Sequence, residues 1–214
     1  MREKLDSILA AAAAEYGVSM DSRKADMFFE YMRLLLEWNA KFNLTGITAP
    51  DEIYIRHFAD SLSIMPHIAE SADLADIGSG AGFPGIPAAI ARPDLNVAMI
   101  ESTGKKVTFL NEAISRLGIV NARAYNGRAE DLGKDAAFRG RYGAVTARAV
   151  ASLPVLIGYC LPFLKPGGIF VAMKGSKTDE IETSRGCIEK VVNFQLADGS
   201  GRNLVLIREI SRNL

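Results

Sequence analysis

The chain is poor in cysteine, histidine and net charge. Among 214 residues there are two cysteines and two histidines, and 25 acidic side chains balance 25 basic ones. Cys160 and Cys187 lie 27 residues apart without CxxC spacing. They can build neither a disulfide framework nor a thiolate zinc site, which points to a reducing compartment. Zero net charge excludes a protein that holds nucleic acid by bulk field, so an anionic partner must meet a local patch. Long hydrophobic runs are also missing. The longest, Leu153 to Leu164, spans 12 residues and is broken by Pro154, Gly158 and Pro162, whereas a bilayer needs about 20. The short run Ile8 to Ala14 is flanked by Asp6 and Glu15 and reads as amphipathic helix, not as a signal peptide. HExxH and GxSxG are absent, and Gly104-Lys105-Lys106 lacks the upstream glycine and the Ser/Thr of a phosphate loop. A cytoplasmic monomer with neither membrane nor metal partners is expected.

What is present is apolar material, 49% of the chain, enough for one full core. Residues 1–70 read as a helical N-terminal extension packed on the rest. Ser19 is a candidate N-cap for a helix with Met27, Phe28, Tyr31, Leu34, Leu35, Trp38 and Phe42 along one stripe. After the break at Asn43-Leu44-Thr45-Gly46, a helix starting near Pro50 would bury Ile55, Phe58, Leu62 and Met65. Residues 71–214 read as one globular unit. Apolar runs at 73–77, 96–100, 121–125, 143–147 and 168–173 alternate with helical patterns at 84–91, 104–117, 152–163 and 177–189. This predicts an α/β, Rossmann-like parallel sheet covered on both faces. The runs 190–196 and 203–209 flank Asp198-Gly199-Ser200-Gly201, a hairpin signal, so the sheet should finish with an antiparallel end strand.

The most informative stretch is Asp76-Ile77-Gly78-Ser79-Gly80-Ala81-Gly82-Phe83-Pro84-Gly85, between a strand and a helix. Gly80, Gly82 and Gly85 fit the dinucleotide pattern GxGxxG, with Glu101 about 20 residues on to meet a ribose. The stretch also fits D-x-G-x-G-x-G, the first motif of S-adenosylmethionine (SAM) methyltransferases. A carboxylate at Asp76 would repel a pyrophosphate and would favour the cationic SAM. An NAD(P)-dependent oxidoreductase is the alternative, and a non-catalytic SAM-responsive RNA-binding module is another.

Two common acceptor chemistries lack their residues. The fourth strand is followed by Thr146-Ala147-Arg148-Ala149-Val150, with no Asn/Asp-Pro-Pro-aromatic run for an exocyclic amine, and neither cysteine follows a proline as pyrimidine C5 chemistry requires. Arg148 stands in that place, suited to a phosphate, a carboxylate or a guanine edge, or else to a structural ion pair. Residues 121–150 carry six basic and three acidic side chains, Arg123 and Arg128 among them. Arg56, His57, Asp60 and Ser61 form a polar helical stripe, readable as a functional cluster or as an exposed face with an Arg56–Asp60 pair. Lys174 ends the fifth strand.

Phe42-Asn43-Leu44-Thr45, Arg56-His57 with Asp60-Ser61-Leu62, the stretch from Asp76 to Gly85, Lys105-Lys106 with Phe109-Leu110, Arg148-Ala149, Lys174-Gly175 and Arg202-Asn203-Leu204-Val205 follow one another in order. In this the chain resembles the bacterial 16S ribosomal RNA guanine-N7 methyltransferases, the glucose-inhibited division protein B family, over residues 25 to 209. The resemblance implies a class I SAM-dependent methyltransferase fold with a seven-stranded sheet, SAM as donor, and a guanine in the 530 loop of 16S rRNA, within the small ribosomal subunit, as acceptor. For SAM it implies Gly78, Phe83, Ala129, Glu130 and Arg148, beside the loop residues Asp76, Gly80 and Gly82 and the adjacent Glu101 and Ser102. For catalysis the candidates are Arg148, Lys174 and His57, and for RNA they are Arg56, His57, Arg123, Arg128 and Lys174. Glu101 stands where the family often has Asp.

Overall fold

The structure is a computed structural model and describes residues 1–176, 184 and 188–208. The helix expected at 177–189 and Cys187 therefore lie outside the described residues, apart from 184, 188 and 189.

Seven strands form one sheet: β1 (Asp73–Ile77), β2 (Asn96–Glu101), β3 (Ala122–Asn126), β4 (Tyr142–Arg148), β5 (Leu164–Gly175), β6 (Lys190–Gln195) and β7 (Gly201–Arg208). Their order is β3-β2-β1-β4-β5-β7-β6. The first five run parallel, while β7 is antiparallel to both β5 and β6. The sheet thus finishes with the antiparallel pair that the hairpin signal predicts, and β7, the last strand in sequence, is the antiparallel one. The hairpin folds back so that β7 slots beside β5 and β6 takes the edge. The reason lies in composition: Leu204 to Ile207 are all buried, whereas β6 is only partly covered. The more apolar strand takes the interior place.

Period-two alternation along the strands divides the core. Leu74, Val97, Met99, Ala144, Ile169 and Val171 face one cluster; Ala75, Ile77, Ala98, Ile100, Val145 and Phe170 face the other. On the second face lie α7 (Ala129–Leu132) and α8 (Leu153–Cys160). On the first lie α5 (Gly85–Ala91) and α6 (Gly104–Arg116), together with α1 (Arg2–Glu15) and α2 (Ser22–Asn39). Leu5, Leu9, Phe28 and Tyr31 share a cluster with Ile86, Met99 and Phe109.

The N-cap of α2 is Asp21, not Ser19: its side chain accepts from the Lys24 amide at 2.8 Å. The cap must sit directly before the first helical residue, and Ser19 lies too early. Beyond it, α3 (Pro50–Ile53) continues through a π-helical turn (Tyr54–Ala59) into α4 (Asp60–Leu62). The wider turn rotates the buried face. Ile53, Tyr54, Phe58, Leu62 and Met65 are inside, while Ile55 is only half-buried.

Candidate active site

Site construction begins at the glycine loop between β1 and α5. Gly78 and Ser79 donate their amides to the Ile100 carbonyl at 2.8 and 3.2 Å, and Tyr31 of α2 donates its hydroxyl to the Ala81 carbonyl. Gly80 has φ +58°, and a Cβ there would meet nothing nearer than the Gly78 oxygen at 3.8 Å. The loop therefore needs glycine here for its dihedrals and leaves open space above it. Gly85 is different: a Cβ would strike Met99 at 2.7 Å and the Asp76 carboxylate at 2.8 Å.

Asp76 is fully buried and accepts from the Gly85 amide at 3.0 Å. It braces the loop from behind and lines neither of the two cavities beside it. Burial pushes its carboxyl up to about 7, so its charge weighs less between cofactors than the sequence reading assumes. Glu101 accepts from the Gly80 amide at 2.9 Å and the Thr103 amide at 2.8 Å. A carboxylate has about four lone-pair sites, so roughly half remain for a ribose diol.

On one side of the loop a cavity of about 190 Å³ is lined by Gly78, Ser102, Ala129, Glu130 and Arg128, with Val150 and Tyr159. Four of the expected cofactor residues meet there. On the other side a cavity of about 620 Å³ is lined by Ile47, Arg56, His57, Asp60, Arg148, Met173, Lys174 and Arg202. Phe83, expected at the cofactor, is buried and lines neither cavity; it backs the wall of the second, its ring stacking on His57 with centroids 4.3 Å apart and lying 4.8 Å from the Arg148 guanidinium carbon.

The Arg148 guanidinium is tightly held. Nη1 donates to the Arg56 carbonyl at 3.0 Å and to Asp60 Oδ2 at 3.2 Å, and Nη2 donates to His57 Nδ1 at 3.1 Å. Arginine only donates, so Nδ1 accepts and the imidazole proton sits on Nε2, which donates to Thr45 Oγ1 at 2.9 Å. Burial, and next the Arg148 charge, push the imidazole down to about 3. At neutral pH His57 is therefore an uncharged imidazole. Burial also lowers the Arg148 guanidinium, opposed by Asp60, and it stays charged.

The exposed stripe with an Arg56–Asp60 pair is not what forms. His57, Asp60 and Ser61 are buried, because the π-helical turn and α4 after it face them inward. Arg56 pairs instead with Glu52 at 3.1 Å and with Asp198 of the β6–β7 turn at 2.6 Å. Lys174 Nζ donates to the Ala151 carbonyl at 2.8 Å. This anchors the turn after β4, where Ala149 has φ +56°. Arg123 is not brought to either cavity by the loop. It lies in the amino half of β3 beside Asp73 and Asn96, at the opposite end of the strands. Thr45, Tyr31 and Arg202 were not singled out for the site from sequence. Thr45 and Arg202 do fall within the runs that carry the resemblance. Among the described residues no three His, Cys, Asp or Glu side chains converge to hold a metal ion, and no helix is long and apolar enough to cross a membrane.

The family described as rRNA small subunit methyltransferase G matches residues 24–201. Ribosomal RNA small subunit methyltransferase G of Acetivibrio thermocellus is 45% identical over 215 residues, covering 96% of this chain and 89% of the relative. The protein of the same name from Pelotomaculum thermopropionicum is 43% identical, covering 96% and 91%. Among solved structures, TrmN from Thermus thermophilus is similar at a TM-score of 0.54 with 16% identity, over 72% of this chain and 53% of that one. The geranyl diphosphate C-methyltransferase of Streptomyces coelicolor, solved with S-adenosyl-L-homocysteine, gives a TM-score of 0.55 at 16% identity, over 71% and 79%. Both likenesses concern the fold.

Proposed function

The chain belongs to the rRNA small subunit methyltransferase G family, and on that premise we propose that it transfers the methyl group of SAM to N7 of a guanine in the 530 loop of 16S rRNA. It is a SAM-dependent methyltransferase of the class I fold, neither an oxidoreductase nor a non-catalytic module. The cofactor's part is an electrophilic methyl on a sulfonium, which leaves as neutral S-adenosylhomocysteine.

The residues present fit that cofactor. Open space over Gly80, two remaining lone-pair sites on Glu101, and the cavity lined by Gly78, Ser102, Ala129 and Glu130 suit an adenosine. The observation that carries the reading is the Phe83–His57–Arg148 group, which stands between the glycine loop and the larger cavity. A guanine entering that cavity must keep N7 free to attack. Arg148 can therefore serve O6 or a neighbouring phosphate with the N–H groups its partners leave over, but not N7. Lys174 holds the turn beside it and adds positive charge to the wall. Arg56, half-buried and paired with Glu52 and Asp198, adds a further cation. In this reading His57 touches RNA less than it positions Arg148. Arg128, which lines the cofactor cavity, and Arg123, at the far end of the strands, are weaker candidates for RNA contact.

We also take residues 1–70 as an extension of a core spanning 71–214, an extension that supplies Ile47, Arg56, His57 and Asp60 to the cavity. The reading further takes the enzyme as a cytoplasmic monomer working without metal, which light scattering and chelation would check. The direct test incubates the purified protein with tritiated SAM and small ribosomal subunits lacking the modification. Label in 16S rRNA, recovered as 7-methylguanosine by nucleoside mass spectrometry, is the expected result. Label in another nucleoside would overturn the assignment to N7.

A further inference from the structure

Asp60 is a buried carboxylate, and two cations from different strands converge on it. Its Oδ2 accepts from Arg148 Nη1 at 3.2 Å, and its Oδ1 lies 3.3 Å from Arg202 Nε. The second contact is an ion pair outside hydrogen-bonding geometry, so Oδ1 has no hydrogen-bond partner. Arg148 ends β4, whereas Arg202 lies near the start of β7, opposite Gly175 of β5. A whole strand separates them. Because β7 is antiparallel, its beginning lies at the same end of the strands as the end of β4. All three side chains line the 620 Å³ cavity.

We propose that Asp60 is a positioning residue for methyl transfer, tying Arg148 and Arg202 into one charge-paired unit on the wall of the acceptor cavity. The proposal rests on the reading that this cavity receives the rRNA base. Without the carboxylate, two guanidinium groups would face one cavity with nothing between them. Arg202 would turn toward solvent or the nearest phosphate, and Arg148, left with the Arg56 carbonyl and His57 Nδ1, would lose its charged partner and shift. RNA would still be held, since the cavity would gain net positive charge, but the base would no longer meet a fixed Arg148. Misplacement of that kind lowers the rate of a positioned reaction without weakening attraction of the polyanion.

The test compares Asp60→Asn with the wild-type enzyme in SAM affinity, rRNA affinity and single-turnover methyl transfer at saturating rRNA. Asn keeps the shape and removes the charge. The expected result is unchanged SAM affinity, rRNA affinity equal to or tighter than wild type, and a rate about 10- to 100-fold lower. In Arg148→Ala, adding Asp60→Asn should cost less than it does in the wild type, since one of the two cations that Asp60 holds is already gone. A wild-type rate in Asp60→Asn would overturn the proposal, as would rRNA affinity falling in step with the rate. Arg202→Gln keeps the Asp60–Arg148 bond and guards against misfolding of Asp60→Asn. It should slow transfer at saturating rRNA, and a wild-type rate there would show that Arg202 is no part of the unit. A wild-type enzyme that transfers no methyl to 16S rRNA would instead refute the reading of the function.

Discussion

A single buried side chain can reverse its sequence-level meaning. His57 is a candidate for catalysis and for RNA in the sequence, yet its Nδ1 is occupied by Arg148 and its proton by Thr45. Its basicity has been spent on holding an arginine. Asp76 shows the same reversal. Exposed, it would be an anion aimed at a ligand; buried under α5, it keeps a carboxyl pushed up to about 7. The consequence for stability has a definite sign. The unfolded group titrates near 3.8, so between about pH 4 and 7 the folded protein binds more protons than the unfolded chain. Stability from this group is fully present below pH 4 and is lost as pH rises toward 7. Chemical denaturation of wild type and Asp76→Asn across that range should show their difference changing by a few kcal/mol, roughly. A pH-independent difference would show that Asp76 is ionised in the fold.

At the level of elements, what the sequence revealed depended on whether local chemistry decided the outcome. The strands from β1 to β5 and the loop at Asp76 to Gly85 were legible, because apolar runs and glycines report on their own backbone. The burial of His57, Asp60 and Ser61 was not. It depends on a π-helical turn and on α1 and α5 packed around it, which no local period encodes. The place of β7 was hidden for the same reason, since a hairpin signal says which strands pair but not which one enters the sheet. Arg202 went unsuspected because its partner Asp60 lies 142 positions away in sequence. The loop itself yields a prediction. Gly80→Val meets no steric block from the protein, but it resists φ +58° and fills the open space. It should abolish SAM binding in calorimetry while the protein remains folded. Glu101→Gln, which loses one of two amide contacts or a ribose contact, should weaken binding by about 1–3 kcal/mol. Wild-type affinity in both would remove the loop from the cofactor site.

Across the whole molecule, the helical first third and the sheet each contribute part of one cavity. Ile47, His57 and Asp60 come from the former, and Arg148, Met173, Lys174 and Arg202 from the latter. Such a site is suited to orientation. Guanine N7 carries a lone pair and no proton at neutral pH, so transfer there has no use for a general base, a contribution typically of about 10²- to 10⁴-fold elsewhere. Holding the methyl and N7 in line can instead supply an effective molarity on the order of 10⁵ M or more. Rapid-quench measurement of single-turnover methyl transfer, with SAM and rRNA both prebound, tests this most directly. Burial pushes the His57 imidazole down to about 3, so with SAM already bound, where Asp76 near 7 acts on the loop alone, the rate should not rise tenfold per unit between about pH 6 and 8.5. His57→Ala should lower it evenly, through loss of Arg148 positioning. A tenfold rise per pH unit, abolished in His57→Ala, would mean that a proton is removed during transfer and would contradict the account.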